Sequence, residues 1–224
     1  MTGTSLFERL KSDASSEWVA YCEHNFVEQM GNGSLPGACF RHYLVQDYLF
    51  LIQFARAYSL AIYKAPSLNL MRSSHEGLKA ILDVEMQLHL KLCKEWGLSG
   101  SDVERVPEAR ATIAYTRFVL DAGQSGDLLD LFVALAPCMI GYGEIGARLA
   151  SEPGGLDKEN PYSVWISEYS SDEYQEISKG TIELLDKLAK MYLTEARYPK
   201  LRELFRQATR LEADFWQMGL DLVD

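Results

Sequence analysis

Cys138, Asp47 and Glu212 have the residue type and setting for covalent or acid–base chemistry. Cys138 follows Pro137 in the apolar stretch "LFVALAPCMIGYGEIG", residues 131–146, with Tyr142 one helical turn further on. A proline inside a helix removes one backbone hydrogen bond and displaces the preceding turn, which would aim the thiol into a cavity. A thiol there is a nucleophile if a neighbour makes it a thiolate; otherwise it is a small buried hydrophobe. Asp47 lies in "YLVQDYLFLIQFARAY" on a face with Tyr43, Phe50, Phe54 and Tyr58. A carboxylate on an aromatic face is costly unless paired, so it takes a tyrosine or arginine partner, or a ligand. Glu212, in "LEADFWQMG", precedes Phe215 and Trp216 at i+3 and i+4. On that side its pKa would rise and it could donate a proton near neutral pH; turned outward it is merely solvated. Glu85 and His89, in "EMQLHL", share a face at i and i+4 and, with His75, hint weakly at a metal. The paired Glu-x-x-His motifs of a dimetal bundle are missing, so no metal and no cofactor is assigned.

These residues must be positioned by helices. Apolar residues recur at three- and four-residue spacing nearly throughout. A helix is expected over "SLFERLKSDASSEWVAYCEHNFVEQM", broken by "GNGSLP". A long helix without interior Gly or Pro follows over residues 37–65 and carries Asp47. A third runs from Pro66 to Gly97, then "SGSDVERVP" connects to a fourth over 108–123. The fifth, 127–152, is apolar around most of its circumference and should be central. After the loop "PGGLDKENPY", Pro161 suits the first turn of a short helix. Two further helices, over 171–196 and 198–223, complete the chain. No stretch alternates with period two. The expectation is an all-α bundle of about seven or eight helices in a single domain, 1–224.

The 224 residues, 47% hydrophobic and 24% charged, suffice for a sizeable core. The net charge of −10 argues against nucleic acid and lends nothing to an anionic membrane as partner. The apolar runs read as shorter than a membrane span, and the N-terminus shows no secretory signal. Cys22, Cys39, Cys93 and Cys138 are far apart with no CxxC, which suggests thiols in a reducing, cytoplasmic compartment.

The segment "GSLPGACFRHYLVQDYLFLIQFARAYSLA" resembles the TenA / thiaminase II family, as do "AYTRFVL", "LAPCMIGYGEIG", "WISEYSSDEYQE" and "EADFWQMG", in the same order and with similar spacing. The presence of Cys138 matches the cysteine-bearing branch. The resemblance implies a haem-oxygenase-like helical fold without haem, usually a homotetramer. It implies hydrolysis of 4-amino-5-aminomethyl-2-methylpyrimidine to the hydroxymethylpyrimidine and ammonia in thiamin salvage, and in many members cleavage of thiamin. It further implies that Cys138 is the nucleophile that adds to the ring and Glu212 the acid that protonates the leaving amine. Asp47 would hold the amidine edge of the ring, with Tyr115, Tyr142 and Tyr169 lining the pocket. One position departs: where members often carry a tyrosine near the cysteine, this chain has Phe50, which can pack on a pyrimidine but cannot donate to sulfur. Against this reading stand a haem-oxygenase-like oxidase or metal oxygenase, which needs a ligand cluster, and a non-catalytic pyrimidine-binding protein.

Overall fold

The computed structural model describes residues 5–223, and among them no strand occurs. The helices are α1 (Leu6–Asp13), α2 (Ser15–Cys22), α3 (Asn25–Gly31), α4 (Gly37–Lys64), α5 (Leu68–Ala80) and, after a π-helical segment (Ile81–Glu85), α6 (Met86–Glu95). Then come α7 (Gly100–Val103), α8 (Arg110–Ser125), α9 (Leu128–Ser151), α10 (Ser163–Tyr169), α11 (Asp172–Tyr192) and α12 (Tyr198–Asp221).

The all-α expectation holds, but the elements are more numerous than seven or eight. The first expected helix is three, because the backbone breaks at Ala14 (φ −117°, ψ 29°) and at Glu23. His24 then caps a fresh helix by accepting the Phe26 N–H on Nδ1 at 3.2 Å. The connector "SGSDVERVP" contains one turn, α7, fixed by a reciprocal Ser99–Asp102 capping box. Pro161 falls outside α10, whose N-cap is Tyr162. The π segment interrupts the third expected helix. Pro137 does not interrupt α9, which runs unbroken past it. Contrary to the reading from apolar runs, α9 is long and apolar enough to cross a membrane, yet 89% of its most apolar window is buried within the protein. That is the signature of a core helix.

The chain divides into two compact units. In the unit formed by Gly37–Leu131 with Met218–Asp224, α4 is the spine. Helices α5, α6, α7 and α8 and the π segment all pack on it, which explains why α4 buries residues on every face. Gln46, fully buried, fastens the start of α8: its Oε1 accepts from the Ala109 N–H (2.9 Å) and the Thr112 hydroxyl (2.8 Å), and its Nε2 donates to the Pro107 carbonyl (3.0 Å). The N-cap of α8 is Ala109, which has no side chain to cap with, so Gln46 takes over that work.

In the other unit, Met1–Pro36 with Phe132–Gln217, α1 packs on α2 and α11, and α10 on α11. Phe7, Trp18 and Phe205 form a ring cluster, with Trp18 and Phe205 stacked at 5.7 Å. Asn160 clasps the loop before α10 to the end of α3, donating to the carbonyls of Gly31 (2.9 Å) and Met30 (3.2 Å) and accepting from the Tyr162 N–H (2.9 Å). Gly146 of α9 lets α10 come close. A Cβ there would lie 2.5 Å from the Tyr169 carbonyl carbon and 2.8 Å from the Ser170 nitrogen.

Candidate active site

Asp47 sits at the middle of the α4 spine, 4% exposed. Its Oδ2 accepts from the Tyr43 hydroxyl at 3.0 Å and meets His89 Nε2 at 2.7 Å. His89, on α6, is fully buried, and its other nitrogen, Nδ1, lies 2.8 Å from the Glu85 carbonyl. A carbonyl oxygen only accepts, so Nδ1 carries a proton. Burial opposes a charged ring, but the hydrogen bond to Asp47, the charge of Asp47 and the Glu85 carbonyl more than offset it, and the His89 pKa rises above its ordinary value. A protonated ring would donate from both nitrogens, to the Glu85 carbonyl and to Asp47 Oδ2. Oδ1 of Asp47 accepts no hydrogen bond from a described residue.

An aromatic wall continues along α4. Phe50, one turn after Asp47 and 3% exposed, lies 5.0 Å from Tyr115 of α8 and 5.1 Å from Phe54. Tyr115 follows the Gln46-anchored Thr112 by three residues, so the clasp at the start of α8 also fixes where Tyr115 stands. The structure thus brings Asp47, Phe50 and Tyr115 together in one unit. It adds Tyr43 and His89 to that group. Tyr43 was legible as the i−4 neighbour of Asp47. His89 was legible only as the partner of Glu85, and its role is different from a metal ligand: both ring nitrogens are engaged. Among the described residues no three His, Cys, Asp or Glu side chains gather as a metal set.

In the other unit, Tyr142 of α9 and Tyr169 of α10 face each other at 5.0 Å. Trp165 lies 4.4 Å from Tyr169 and 5.7 Å from Tyr142, and Trp216 lies 5.3 Å from Tyr142. Both tryptophans are fully or almost fully buried; Trp216 was legible as the i+4 neighbour of Glu212, whereas Trp165 was not singled out by residue spacing. Gln175 holds its frame, donating to the carbonyls of Tyr169 (2.9 Å) and of Gly143 (3.0 Å). Glu212 of α12 is 1% exposed, so it faces the interior and not solvent.

The four cysteines are thiols, and they differ in setting. Burial pushes the pKa of Cys22, Cys39 and Cys93 up, which keeps them protonated and unreactive. Cys138 alone is only partly buried. It stands one turn before Tyr142 on α9, just after the Pro137 carbonyl that accepts the Tyr21 hydroxyl at 3.4 Å. Accessibility, not residue type, sets Cys138 apart.

Residues 12–222 match the model of the TENA/THI-4/PQQC family. An aminopyrimidine aminohydrolase of Halalkalibacterium halodurans is 39% identical over 96% of this chain and 93% of its own length. One of Helicobacter pylori is 31% identical over 94% and 96%. Among solved structures, a TenA family transcription regulator from Silicibacter is 43% identical, with a TM-score of 0.91 over 96% of both chains.

Proposed function

Because the chain belongs to the TENA/THI-4/PQQC family, we propose that it is a hydrolase of thiamin-related pyrimidines. In its specific form, it converts 4-amino-5-aminomethyl-2-methylpyrimidine and water to 4-amino-5-hydroxymethyl-2-methylpyrimidine and ammonia, with thiamin as a further candidate substrate. The relatives named aminopyrimidine aminohydrolase, at 31% and 39% identity over nearly the whole chain, carry this reading. The partner is a small aromatic molecule; no nucleic acid, membrane or cofactor enters the reaction. A homotetramer in the cytoplasm goes with the same proposal.

In this reading Cys138 is the nucleophile. Its sulfur forms a bond to a ring carbon, the ring takes up the electron pair, and the 5-methylene substituent leaves as ammonia once Glu212 has protonated it. Water then adds to the activated methylene, a proton returns to Glu212, and the C–S bond breaks to restore the thiolate and the aromatic ring. Glu212 is suited to the acid step because it is a carboxyl held in the interior, out of bulk water. Asp47 accepts from the N–H groups of the amidine edge. Phe50, Tyr115, Tyr142 and Tyr169 supply flat apolar surface for the ring. With Phe50 in place of a tyrosine, a hydroxyl from elsewhere, Tyr142 being one turn from the sulfur, polarises the thiol.

The test is ammonia release from the aminomethylpyrimidine by the wild type and by Cys138→Ala. Turnover by the wild type and none by a variant with an unchanged circular dichroism spectrum is the expected result. Wild-type turnover by Cys138→Ala sinks the nucleophile, and no turnover by either protein, with tight binding of the hydroxymethyl product, turns the reading into that of a binding protein.

A further inference from the structure

His89 has no part in the reaction as set out above, yet it makes a 2.7 Å contact with Asp47, one of the candidate residues. His89 is wholly buried, whereas 6% of the Asp47 side chain remains accessible. The carboxylate, not the imidazole, is therefore the member that can meet a ligand. Its Oδ2 is filled by two donors, the Tyr43 hydroxyl and His89 Nε2–H. An oxygen with two good donors has no lone pair left to offer. Whatever Asp47 binds, it binds through Oδ1.

We propose that His89 is a positioning residue for substrate capture: with Tyr43 it fills Oδ2, so that Oδ1 alone is presented to the exocyclic amino group of an aminopyrimidine. This rests on the functional reading above and deepens it, by naming which atom recognises the 4-amino group and what holds that atom in place. Without the contact from Nε2 the carboxylate could turn either oxygen to Tyr43, and the acceptor aimed at the amino group would no longer be fixed. The Glu85 carbonyl is the second half of the device. By accepting from Nδ1–H it fixes the orientation of the ring, with Nε2 towards Asp47.

The groups that act on the imidazole are few. Asp47 faces it from α4, with Tyr43 on the same carboxylate oxygen, and Glu85 faces it from the π segment. On α6 itself, Cys93 lies one turn on, and burial keeps that thiol protonated. Loss of the His89 proton at high pH would leave an ionised carboxylate against an imidazole lone pair, and ligand affinity would fall there.

The experiment uses the full chain with His89→Gln, His89→Leu and Asp47→Asn. Histidine labelled with ¹⁵N gives the protonation of each ring nitrogen, and the signal missing from His89→Gln identifies residue 89. The expected spectrum near neutral pH shows protons on both nitrogens. Calorimetry then gives the Kd for 4-amino-5-hydroxymethyl-2-methylpyrimidine across about pH 6 to 9. Wild-type affinity should be flat and then weaken on the alkaline side. His89→Leu should bind about ten- to hundredfold more weakly near neutral pH, from the loss of a hydrogen bond to a charged group, and should lack the alkaline loss. His89→Gln, which keeps a donor but no charge, should lack the alkaline loss, and it carries the test alone if the leucine variant does not fold. A bare Nε2 in the spectrum, or a glutamine variant with the wild-type Kd and pH profile, overturns the proposal. Failure of the functional reading looks different: Asp47→Asn and Cys138→Ala would both turn over substrate like the wild type, with the His89 spectrum as expected.

Discussion

Gly146→Ala should destabilise the protein and impair its chemistry through one added methyl group. The new Cβ would stand 2.5 Å from the Tyr169 carbonyl carbon, 2.7 Å from its oxygen and 2.8 Å from the Ser170 nitrogen. Ordinary contact needs about 3.5–4.0 Å, so α10 must withdraw from α9 by roughly 1 Å. Backbone atoms cannot swing aside as a side-chain tip would. Overpacking of this kind costs about 1–3 kcal/mol. Withdrawal also stretches the Gln175 bridge between the Gly143 and Tyr169 carbonyls, a further ~1 kcal/mol. Against this, alanine favours the helical backbone over glycine by about 1 kcal/mol. The net is a loss of roughly 1–3 kcal/mol, or about 2–12 °C in Tm for a chain of this size. Tyr169 and Trp165 move with α10 and draw away from Tyr142, and a misplacement near 1 Å costs up to about a hundredfold in turnover. The control is Gly180→Ala on α11, where an added Cβ meets nothing within 4 Å. There the same substitution should stabilise, by about 0.5–1 kcal/mol. Thermal melts and urea titrations of both variants decide the matter. A Gly146→Ala midpoint at or above that of the wild type would refute the close approach of α10 as the cause.

Gln46→Leu should remove about 3 kcal/mol, since the Ala109 N–H, the Pro107 carbonyl and the Thr112 hydroxyl each lose a partner; urea denaturation reads the loss, and KM for the pyrimidine should rise as the α8 start that carries Tyr115 loosens. Glu17→Gln tests the acid side of stability. The hydrogen bond from Arg206, at 2.7 Å, and then that from Ser16 hold the Glu17 carboxyl down to about 2. A depressed carboxyl contributes stability that is fully present above its ordinary value of 4.5 and is lost as the pH falls through 2. The wild type should therefore exceed the variant by roughly 1 kcal/mol near pH 6, as for a partly exposed ion pair, and the gap should close between about pH 4 and 2 in urea midpoints.

Helices α4 and α9 were readable because their apolar residues run on at helical spacing, and Pro137 and the three glycines after it do not stop α9. The breaks at Ala14 and His24 were not, since neither alanine nor histidine is a customary stop or cap signal. The Ser99-x-x-Asp102 box was there to be read and marked a helix where a connector was expected. Asp47, Phe50 and Tyr115 were identifiable by residue type and resemblance. The imidazole on Asp47 was not, because 42 positions separate the partners and only the packing of α6 on α4 joins them. Trp165 and Trp216 look in sequence like any core tryptophan. Their role in the cage around Tyr142 and Tyr169 depends on helix placement, which periodicity does not supply.

The π segment decides which residue of α6 is the one that meets Asp47. Ile81, Glu85, His89 and Cys93 follow one another at a strict spacing of four. An unbroken α-helix would carry such a series steadily around its circumference, since 3.6 residues complete a turn. The wider turn over Ile81–Glu85 takes up the surplus, and Ile81, His89 and Cys93 are all buried. It acts as an indexing step. Tightening that turn to α-helical geometry with no residue removed would rotate everything after it by about 100°, bringing Leu88 to the place of the imidazole and leaving the carboxylate opposite a hydrocarbon. The identity of the group beside Asp47 is thus written in the winding of the segment that precedes it as much as in the choice of histidine.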